Sequence, residues 1–413
     1  MTQPSGPEIA ATNGASQVMN EDQRSAPAAR KPRVGLVLPG GGARAAYQAG
    51  VLRAIAERLP AGSPNPFPVI AGTSAGAINA ALLASSARHF QQGVAHLAGV
   101  WEHISTDRVF RTDGLTIIKT VLSWLMSLLH SRFGRYKPIS LLDNAPLRRL
   151  LEQHIVFAHL QQALDEGALD ALAITASGYY SARSISFYKS RPGLQPWHRL
   201  RRMGQAVELQ LDHIMASLAL PMVFPAVRIG REYFGDGSMR QSAPLSPAVH
   251  LGAERLLIIA VRNEHANRLP EAGTKLPYPT LGHIAGYLLD TLFMDSIYSD
   301  LERLQRINNT VSHIHDEQPP LKVIDSMVVV PSEDIREIAL RHRRDFPLAV
   351  RLMLRGLGGL HHSGGQLLSY LLFESSYCRE LVELGYKDAM NQADKLMEFI
   401  GVSADSHSEQ ADN

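Results

Sequence analysis

A serine flanked by small residues is the first candidate for chemistry in this sequence. Ser74 lies at the centre of Gly72-Thr73-Ser74-Ala75-Gly76, a G-x-S-x-G pattern. An apolar run precedes the pattern, and a segment rich in alanine and leucine follows it. A strand, a sharp turn and a helix are the context of a nucleophile elbow, which exposes the serine hydroxyl at a helix N-terminus. The pattern therefore predicts a nucleophile, and the alternative is a serine that only caps the helix.

A second candidate element is the loop Gly40-Gly41-Gly42-Ala43-Arg44, which follows an apolar run and opens a helical segment. Glycine loses more conformational entropy on folding than any other residue, so three in succession indicate a backbone that needs them. Unpaired N–H groups at a helix start favour negative charge. The loop is therefore a candidate for holding an anion or a developing oxyanion, and the alternative is a tight turn without function.

The same loop also fits the looser dinucleotide-binding pattern G-x-G-x-x-G/A through Gly40, Gly42 and Ala45. That pattern requires an acidic residue at the end of the second strand, to bind a ribose hydroxyl. Here that strand ends before Ser74 without an acidic residue, and Glu57 falls within the intervening helix. An oxidoreductase with a nicotinamide cofactor is therefore disfavoured, and we expect no cofactor.

A serine nucleophile needs a base within hydrogen-bonding distance, and the sequence offers two kinds. Asp236 lies between two glycines where a strand runs into a turn, although an aspartate there is often only a turn former. His361 and His362 are the late histidines that a Ser-His-Asp triad would need, but no strand is predicted directly before them. The sequence therefore favours Asp236 as the base.

These candidates need an α/β framework to position them, because strand and helix alternate from residue 34 onward and so predict a parallel sheet. Apolar runs that predict strands lie at 34–38, 67–71, 171–176, 183–189, 255–261 and 327–330. Helices are predicted at 45–59, 75–87 and 205–220, with largely helical patterns over 90–165 and 278–400.

Composition and charge exclude several classes of protein. The chain has 413 residues and a formal net charge of +2, without the basic stripe of a nucleic-acid binder. Its single cysteine, Cys378, offers neither a disulfide nor a metal framework, so we expect no metal. Residues 1–32 lack the apolar core of a signal peptide, and no apolar run reaches the ~18–20 residues of a membrane span. We expect a cytoplasmic protein, with or without peripheral membrane contact.

Together the motifs resemble the patatin-like phospholipase family. That family has a G-G-G-x-R/K-G loop, then a G-x-S-x-G elbow, then a D-G-G/A segment, which correspond here to residues 40–45, 72–76 and 236–238. Residues 216–227 also resemble the family's segment before the aspartate, and the similarity covers roughly residues 33–262. Two positions depart from the pattern, because Ala45 replaces the last loop glycine and Ser238 replaces a glycine or alanine.

The resemblance implies a three-layer α/β sandwich with a mostly parallel central sheet, to which a largely helical C-terminal extension is added. It implies that Ser74 attacks an acyl carbonyl and that Asp236 takes the serine proton, without a histidine or a metal. The predicted oxyanion hole comprises Gly40, Gly41, Gly42 and Ala43. The predicted supporting residues are Arg44, Gly72, Gly76 and Gly237, with Arg44 holding either the loop or an anionic head group.

We expect four regions along the chain. A disordered segment covers 1–32, a catalytic domain covers 33–262, a mainly helical region packed on it covers 263–400, and a flexible tail covers 401–413. The segment 115–129 is apolar and predicts either a core helix or an interfacial helix or lid. The segment 284–297 predicts a helix packed on the catalytic domain, and the basic cluster 341–344 is either solvated or meets anionic lipid.

By resemblance, the substrate is a lipid or fatty-acyl ester and the activity is of phospholipase A or lysophospholipase type. Two alternatives stay open. One is an acyltransferase or small-ester esterase at the same site, and the other is a non-enzymatic scaffold that binds lipid or a partner. The sequence leaves the oligomeric state open.

Overall fold

The computed structural model describes residues 32–112, 140–262, 278–293, 295–314, 321–356, 358–360 and 364–402. Four predictions concern residues outside these ranges. They are the disordered N-terminal segment, the interfacial or core helix at 115–129, the histidine pair His361 and His362, and nearly all of the C-terminal tail.

A mixed sheet at the centre of the fold contains ten strands in the described part of the chain. These are β1 (Val34–Leu38), β2 (Val69–Thr73), β3 (Ala171–Gly178), β4 (Ser184–Ser190), β5 (Trp197–His198), β6 (Arg202–Ala206), β7 (Val227–Ile229), β8 (Glu232–Asp236), β9 (Arg255–Ile259) and β10 (Asp325–Val329). Their order is β10-β9-β1-β2-β3-β4-β6-β5, and β8 pairs with β3 and β7. The five strands from β10 to β3 run parallel, and β4 and β8 are antiparallel to β3.

Helices surround this sheet, and α2 packs on β2 and β3 while α8 packs on β1 and β2. In the first half of the chain they are α1 (Ala46–Arg58), α2 (Ala75–Ser85), α3 (Phe90–Glu102), α4 (Thr106–Val109), α5 (Ala145–His154), α6 (Phe157–Asp165) and α7 (Leu211–Ser217). In the second half they are α8 (Ser246–His250), α9 (Leu281–Phe293), α10 (Asp295–Val311), α11 (Ile335–Arg341), α12 (Leu348–Gly356), α13 (Gly365–Leu371), α14 (Ser375–Met390) and α15 (Ala393–Phe399). The predicted α/β class, with a mostly parallel sheet and a helical C-terminal region, is confirmed.

One predicted helix begins too early. The pattern predicted a helix over 205–220, but Gln205 and Ala206 belong to β6, where they pair with Phe187 and Tyr188 of β4. The helix in this region, α7, starts only at Leu211. Pairing with a neighbouring strand thus overrides the local pattern, because strand propensity depends on what packs across the sheet.

The C-terminal region contributes to the same core as the first strands. Its strand β10 extends the sheet parallel to β9, and its helix α14 packs closely on α1. Two glycines permit this contact, since a Cβ on Gly50 would lie 1.9 Å from the carbonyl oxygen of Val382, and one on Gly385 would lie 2.2 Å from that of Tyr47. No helix in the described ranges is long and apolar enough to cross a bilayer.

The contact between α1 and α14 makes a testable prediction. Gly50→Ala is expected to lower the free energy of unfolding by about 1–3 kcal/mol, because the added methyl meets backbone that has to move. Gly99→Ala in α3 is the matched control, since its Cβ meets nothing within 4 Å. That control is expected to raise the free energy of unfolding by roughly 0.5–1 kcal/mol. Urea unfolding measures both, and equal effects would contradict the close packing.

Candidate active site

Ser74 occupies the turn between β2 and α2 in a backbone conformation that is rare for a side-chain-bearing residue. Its φ is 52° and its ψ is −130°. The flanking glycines make this turn possible, because a Cβ on Gly76 would lie 2.0 Å from the carbonyl oxygen of Leu38, and one on Gly72 would lie 2.5 Å from that of Gly76. Strain of this kind persists where surrounding structure enforces it, as it does at nucleophile elbows.

Asp236 ends β8 beside the point where β2 ends, because Asp236 pairs with Ala176 of β3 and Thr73 of β2 pairs with the preceding residue, Thr175. Its Oδ2 accepts a hydrogen bond from the Ser74 hydroxyl at 2.6 Å, and its Oδ1 accepts one from the backbone N–H of Ser238 at 2.9 Å. Gly237 allows the turn to close on β3, since a Cβ there would lie 2.1 Å from the carbonyl oxygen of Thr175. The structure therefore brings together two residues that are 162 positions apart in the sequence.

Asp236 is buried, with only 1% of the residue exposed to solvent. Burial raises its pKa to about 6, although the hydrogen bonds from Ser74 and Ser238 act in the opposite direction. Among the described residues, no charged group compensates for the lost hydration, because the Ser74 hydroxyl and the backbone and side chain of Ser238 are all neutral donors. The group is thus ionised at neutral pH but accepts a proton more readily than an exposed aspartate.

A second serine, which the sequence analysis did not single out, supports the elbow. The backbone N–H of Ser74 donates to Ser217 Oγ at 2.8 Å, and the Ser217 hydroxyl donates to the carbonyl of Thr175 at 2.6 Å. Ser217 thereby ties the strained turn to β3. The sequence signal that includes Ser217 is the stretch 216–227, which resembles the family segment before the aspartate.

The glycine loop lies directly against the serine. A Cβ on Gly40 would lie 2.8 Å from the Cβ of Ser74, and one on Gly41 would lie 2.5 Å from Val261 Cγ2. Gly42 has a φ of +56°, and a Cβ on it would lie 2.2 Å from the carbonyl oxygen of Tyr370. The loop continues through Ala43 in a 3-10 turn, Gly42–Ala45, that leads into α1. Neighbouring atoms thus leave no room for a side chain at any of the three positions, which explains why all three are glycines.

Arg44 is buried inside the protein, where it is 1% exposed. Its Nη1 donates to Asp290 Oδ1 at 3.0 Å, and its Nε and Nη2 donate to Ser369 Oγ at 2.9 and 2.7 Å. Its guanidinium also lies 3.8 Å from the centre of the Tyr370 ring. Of the two predicted roles, this geometry favours holding the loop over binding a head group.

Asp290 connects the loop to α9 and α13. Besides Arg44, it accepts hydrogen bonds from Gln366 Nε2 and the Tyr370 hydroxyl, both at 2.6 Å, and its Oδ2 lies 3.1 Å from Arg262 Nη1. Burial acts to raise the pKa of Asp290, but Arg44, Tyr370 and Arg262 outweigh it and hold that pKa below its usual value. The predicted packing of 284–297 on the catalytic region thus includes an ion pair.

An apolar cavity extends from Ser74 and Asp236. Aliphatic and aromatic side chains from α2, α3, α5 and α9 form most of its wall. They include Ile78, Val100, Trp101, Leu147, Leu150, Leu289 and Phe293, and Phe224 adds to the wall from the segment between α7 and β7. In the described ranges, no histidine lines this cavity and no group of His, Cys, Asp and Glu side chains could hold a metal ion.

The Arg44–Asp290 pair makes a prediction on stability. Asp290→Asn leaves the Arg44 guanidinium buried without its nearest carboxylate, and breaking a buried pair in this way costs about 3–5 kcal/mol of the free energy of unfolding. Asp295→Asn, at the exposed start of α10, is the control and is expected to change it by less than about 0.5 kcal/mol. Chemical denaturation of the two variants tests this, and similar small effects would show that the pair does not hold the loop.

The raised pKa of Asp236 makes a second prediction. The folded pKa of about 6 exceeds the ~3.9 of an unfolded aspartate, so the stabilising contribution is present below about pH 4 and lost as pH rises through about 6. Asp236→Asn keeps the side chain neutral and is expected to raise the free energy of unfolding by roughly 1–3 kcal/mol at pH 8 but not at pH 4. Exposed Asp107→Asn is the control. A variant less stable than wild type at pH 8 would contradict the assigned burial penalty.

A protein-family model matches the part of the chain that contains Ser74 and Asp236. The patatin-like phospholipase family model matches residues 36–249, which is more than half of the chain. No curated protein matches the chain. Among solved structures, VipD from Legionella pneumophila is 12% identical with a TM-score of 0.33, and the match covers 89% of this chain and 67% of that one. Human GIVD cytosolic phospholipase A2, in complex with methyl gamma-linolenyl fluorophosphonate, is 12% identical with a TM-score of 0.41.

The match to the human structure covers 89% of this chain but only 58% of the human chain. The assignment to a family rests on the family model, because both solved structures are only 12% identical to this chain. Family membership supports a lipid acyl hydrolase activity in general terms. On the match over residues 36–249, the chain belongs to the patatin-like phospholipase family.

Proposed function

We propose that this protein is a lipid acyl hydrolase in which Ser74 and Asp236 form a catalytic dyad. The observation that carries the proposal is the 2.6 Å hydrogen bond from the Ser74 hydroxyl to a buried carboxylate, at the wall of an apolar cavity. A nucleophile within reach of a base, beside space for an apolar substrate, is the arrangement that acyl transfer requires. The substrate class is an ester with a long acyl chain, cleaved in the manner of a phospholipase A or a lysophospholipase.

The first step is attack by Ser74 Oγ on the acyl carbonyl carbon. As the new C–O bond forms, the hydroxyl proton passes to Asp236 Oδ2, and the carbonyl electrons move onto its oxygen. A pKa near 6 suits this role, because the carboxylate is ionised at neutral pH and yet more basic than an exposed aspartate. The proposed base therefore needs no histidine to carry the proton.

The negative charge on the tetrahedral intermediate needs hydrogen-bond donors, which we assign to the loop of Gly40, Gly41, Gly42 and Ala43. The loop approaches Ser74 at Gly40 and leads into α1, and in the proposed complex its N–H groups and the positive end of the helix face the reacting carbonyl. Fixed donors of this kind stabilise the transition state more than the substrate. Arg44 and Asp290 hold the loop in place from behind.

The intermediate collapses when the bond to the leaving alcohol breaks and Asp236 returns the proton to the alcohol oxygen. The acyl group then remains on Ser74 as an ester. Water attacks this acyl-enzyme with the same carboxylate as base, which releases the fatty acid and restores the serine hydroxyl. The apolar side chains of the cavity, such as Trp101, Leu150 and Phe224, hold the acyl chain through both steps.

Labelling with a fluorophosphonate tests the proposal, because the probe reacts with an activated serine. Wild type is expected to be labelled on the peptide that contains Ser74. Ser74→Ala is expected to abolish labelling, and Asp236→Asn is expected to slow it by about 10²- to 10⁴-fold, which is the usual contribution of a general base. Intact-mass and peptide mass spectrometry measure both effects.

Two exposed residues supply matched controls for the labelling experiment. Ser312→Ala and Asp107→Asn make the same chemical changes at exposed positions and are expected to leave the labelling rate unchanged. Labelling that persists in Ser74→Ala, or a rate in Asp236→Asn equal to that of wild type, would refute the dyad.

A further inference from the structure

Helix α9 carries apolar side chains on two sides, and only one side is buried. Leu289 and Phe293 are buried, and both line the cavity beside Ser74. The apolar residues on the other side of α9 are between 40% and 66% exposed, and Tyr278, which precedes the helix, is 90% exposed. We call these residues the docking face, and they are Tyr278, Leu281, Ile284, Tyr287 and Leu288.

The apolar side chains of the docking face on α9 lie next to one another along the helix. Leu281, Ile284 and Leu288 recur at the spacing of one helical face, so their side chains lie in a row. Contiguous exposed apolar surface of this kind marks an interaction site on a soluble protein. The predicted packing of segment 284–297 on the catalytic region accounts for the buried side of the helix and leaves this side without a role.

The charges around the docking face favour an anionic partner. The residue before α9 contacts the segment just beyond the end of α12, because the Thr280 hydroxyl lies 3.5 Å from the carbonyl oxygen of Gly358. The outer side of α12 bears the exposed residues Leu348, Leu352 and Arg355. Neither α9 nor α12 has an exposed acidic side chain among its described residues, since the acidic residue that they contain, Asp290, is buried.

More positive charge lies beside α12, in the basic cluster 341–344. Arg343 and Arg344 are exposed, and Arg351 of α12 donates to the Arg344 carbonyl at 3.0 Å. Arg341 and His342 differ from them, because both pair with Glu380. Part of the cluster is therefore tied to the protein, and the exposed Asp345 follows it, while the exposed Arg343 and Arg344 add basic groups near the start of α12.

We propose that the docking face binds the surface of a bilayer that contains anionic lipids, with α9 lying in the plane of the interface. Thirteen residues of helix are about 20 Å long, too short to cross a hydrocarbon core of about 30 Å. Aliphatic side chains enter the interface, tyrosines occupy its head-group level, and arginines attract anionic head groups. The inference rests on the proposed function, for which it supplies the physical form of the substrate.

The position of α9 places a bound bilayer close to the cavity. The same helix has the docking face on one side and the cavity wall on the other, and a helix with its side chains is about 10–12 Å across. A lipid in the bound bilayer is therefore within one helix diameter of the cavity that leads to Ser74. A second copy of the chain is a poorer partner, because a two-fold contact through this surface would bring the arginines of α12 near those of its mate.

Vesicle flotation tests the inference, with Ser74→Ala as the background so that no lipid is consumed. The vesicles contain phosphatidylcholine alone or with about one-third phosphatidylglycerol. The full chain is expected to float with the anionic vesicles, and Leu281→Glu/Leu288→Glu is expected to lower its partition coefficient about tenfold or more. Arg351→Gln/Arg355→Gln is expected to weaken binding about tenfold on anionic vesicles and to reduce its salt dependence.

The matched control is Leu200→Glu/Leu321→Glu, which makes the same changes at exposed leucines outside α9 and α12. It is expected to bind vesicles as the background protein does, and thermal unfolding checks that every variant is folded. Flotation unaffected by the α9 substitutions, or no flotation of the background protein, would overturn the inference. A change of oligomeric state with unchanged flotation would assign the face to a second copy instead. Because binding is measured without turnover, failure of the proposed dyad in the labelling experiment is a separate result.

Discussion

The hydrogen bond between the Ser74 hydroxyl and the Asp236 carboxylate requires a carboxylate to be kept charged with little access to water. The Ser74 hydroxyl and both the N–H and the side chain of Ser238 are neutral hydrogen-bond partners of this carboxylate, and burial outweighs them and raises the pKa of Asp236 to about 6. The folded sheet offsets the free-energy cost of burying this charge, because pairing among β2, β3 and β8 fixes the backbones of Ser74 and Asp236 at the edge of the cavity. In the proposed dyad, this same unfavourable burial makes the aspartate basic enough to activate a serine.

The C-terminal region is part of this arrangement and not an appendage to it. Its strand β10 extends the sheet, α14 packs on α1 through Gly385, and Asp290 of α9 holds Arg44 of the glycine loop. A loop that stabilises an oxyanion has to be fixed before the reaction starts, since reorganisation during the reaction would reduce its effect. The proposed bilayer contact uses the same helix α9, which places the membrane surface, the cavity wall and the support of the loop on one element.

Local signals in the sequence predicted much of the sheet and the residues proposed for catalysis. Ser74 and Asp236 are flanked by glycines that leave a visible pattern, and the buried strands are short apolar runs. The residues that support them leave no such pattern, since Ser217 is 143 positions from Ser74 and Asp290 is 246 positions from Arg44. The last two residues of β6, Gln205 and Ala206, were predicted as helix for a related reason, because their pairing with β4 is a tertiary contact that local propensity does not contain.

The pH dependence of fluorophosphonate inactivation, measured at two temperatures, tests the role of Asp236 most directly. The account predicts that the rate rises with pH through a single ionisation near pH 6, the pKa assigned to Asp236. It also predicts that the midpoint hardly moves with temperature, because carboxyl ionisation has a small enthalpy. A midpoint that falls clearly on warming, as an imidazole does, would identify a histidine as the base. A rate independent of pH between roughly 5 and 8 would equally contradict the proposed dyad.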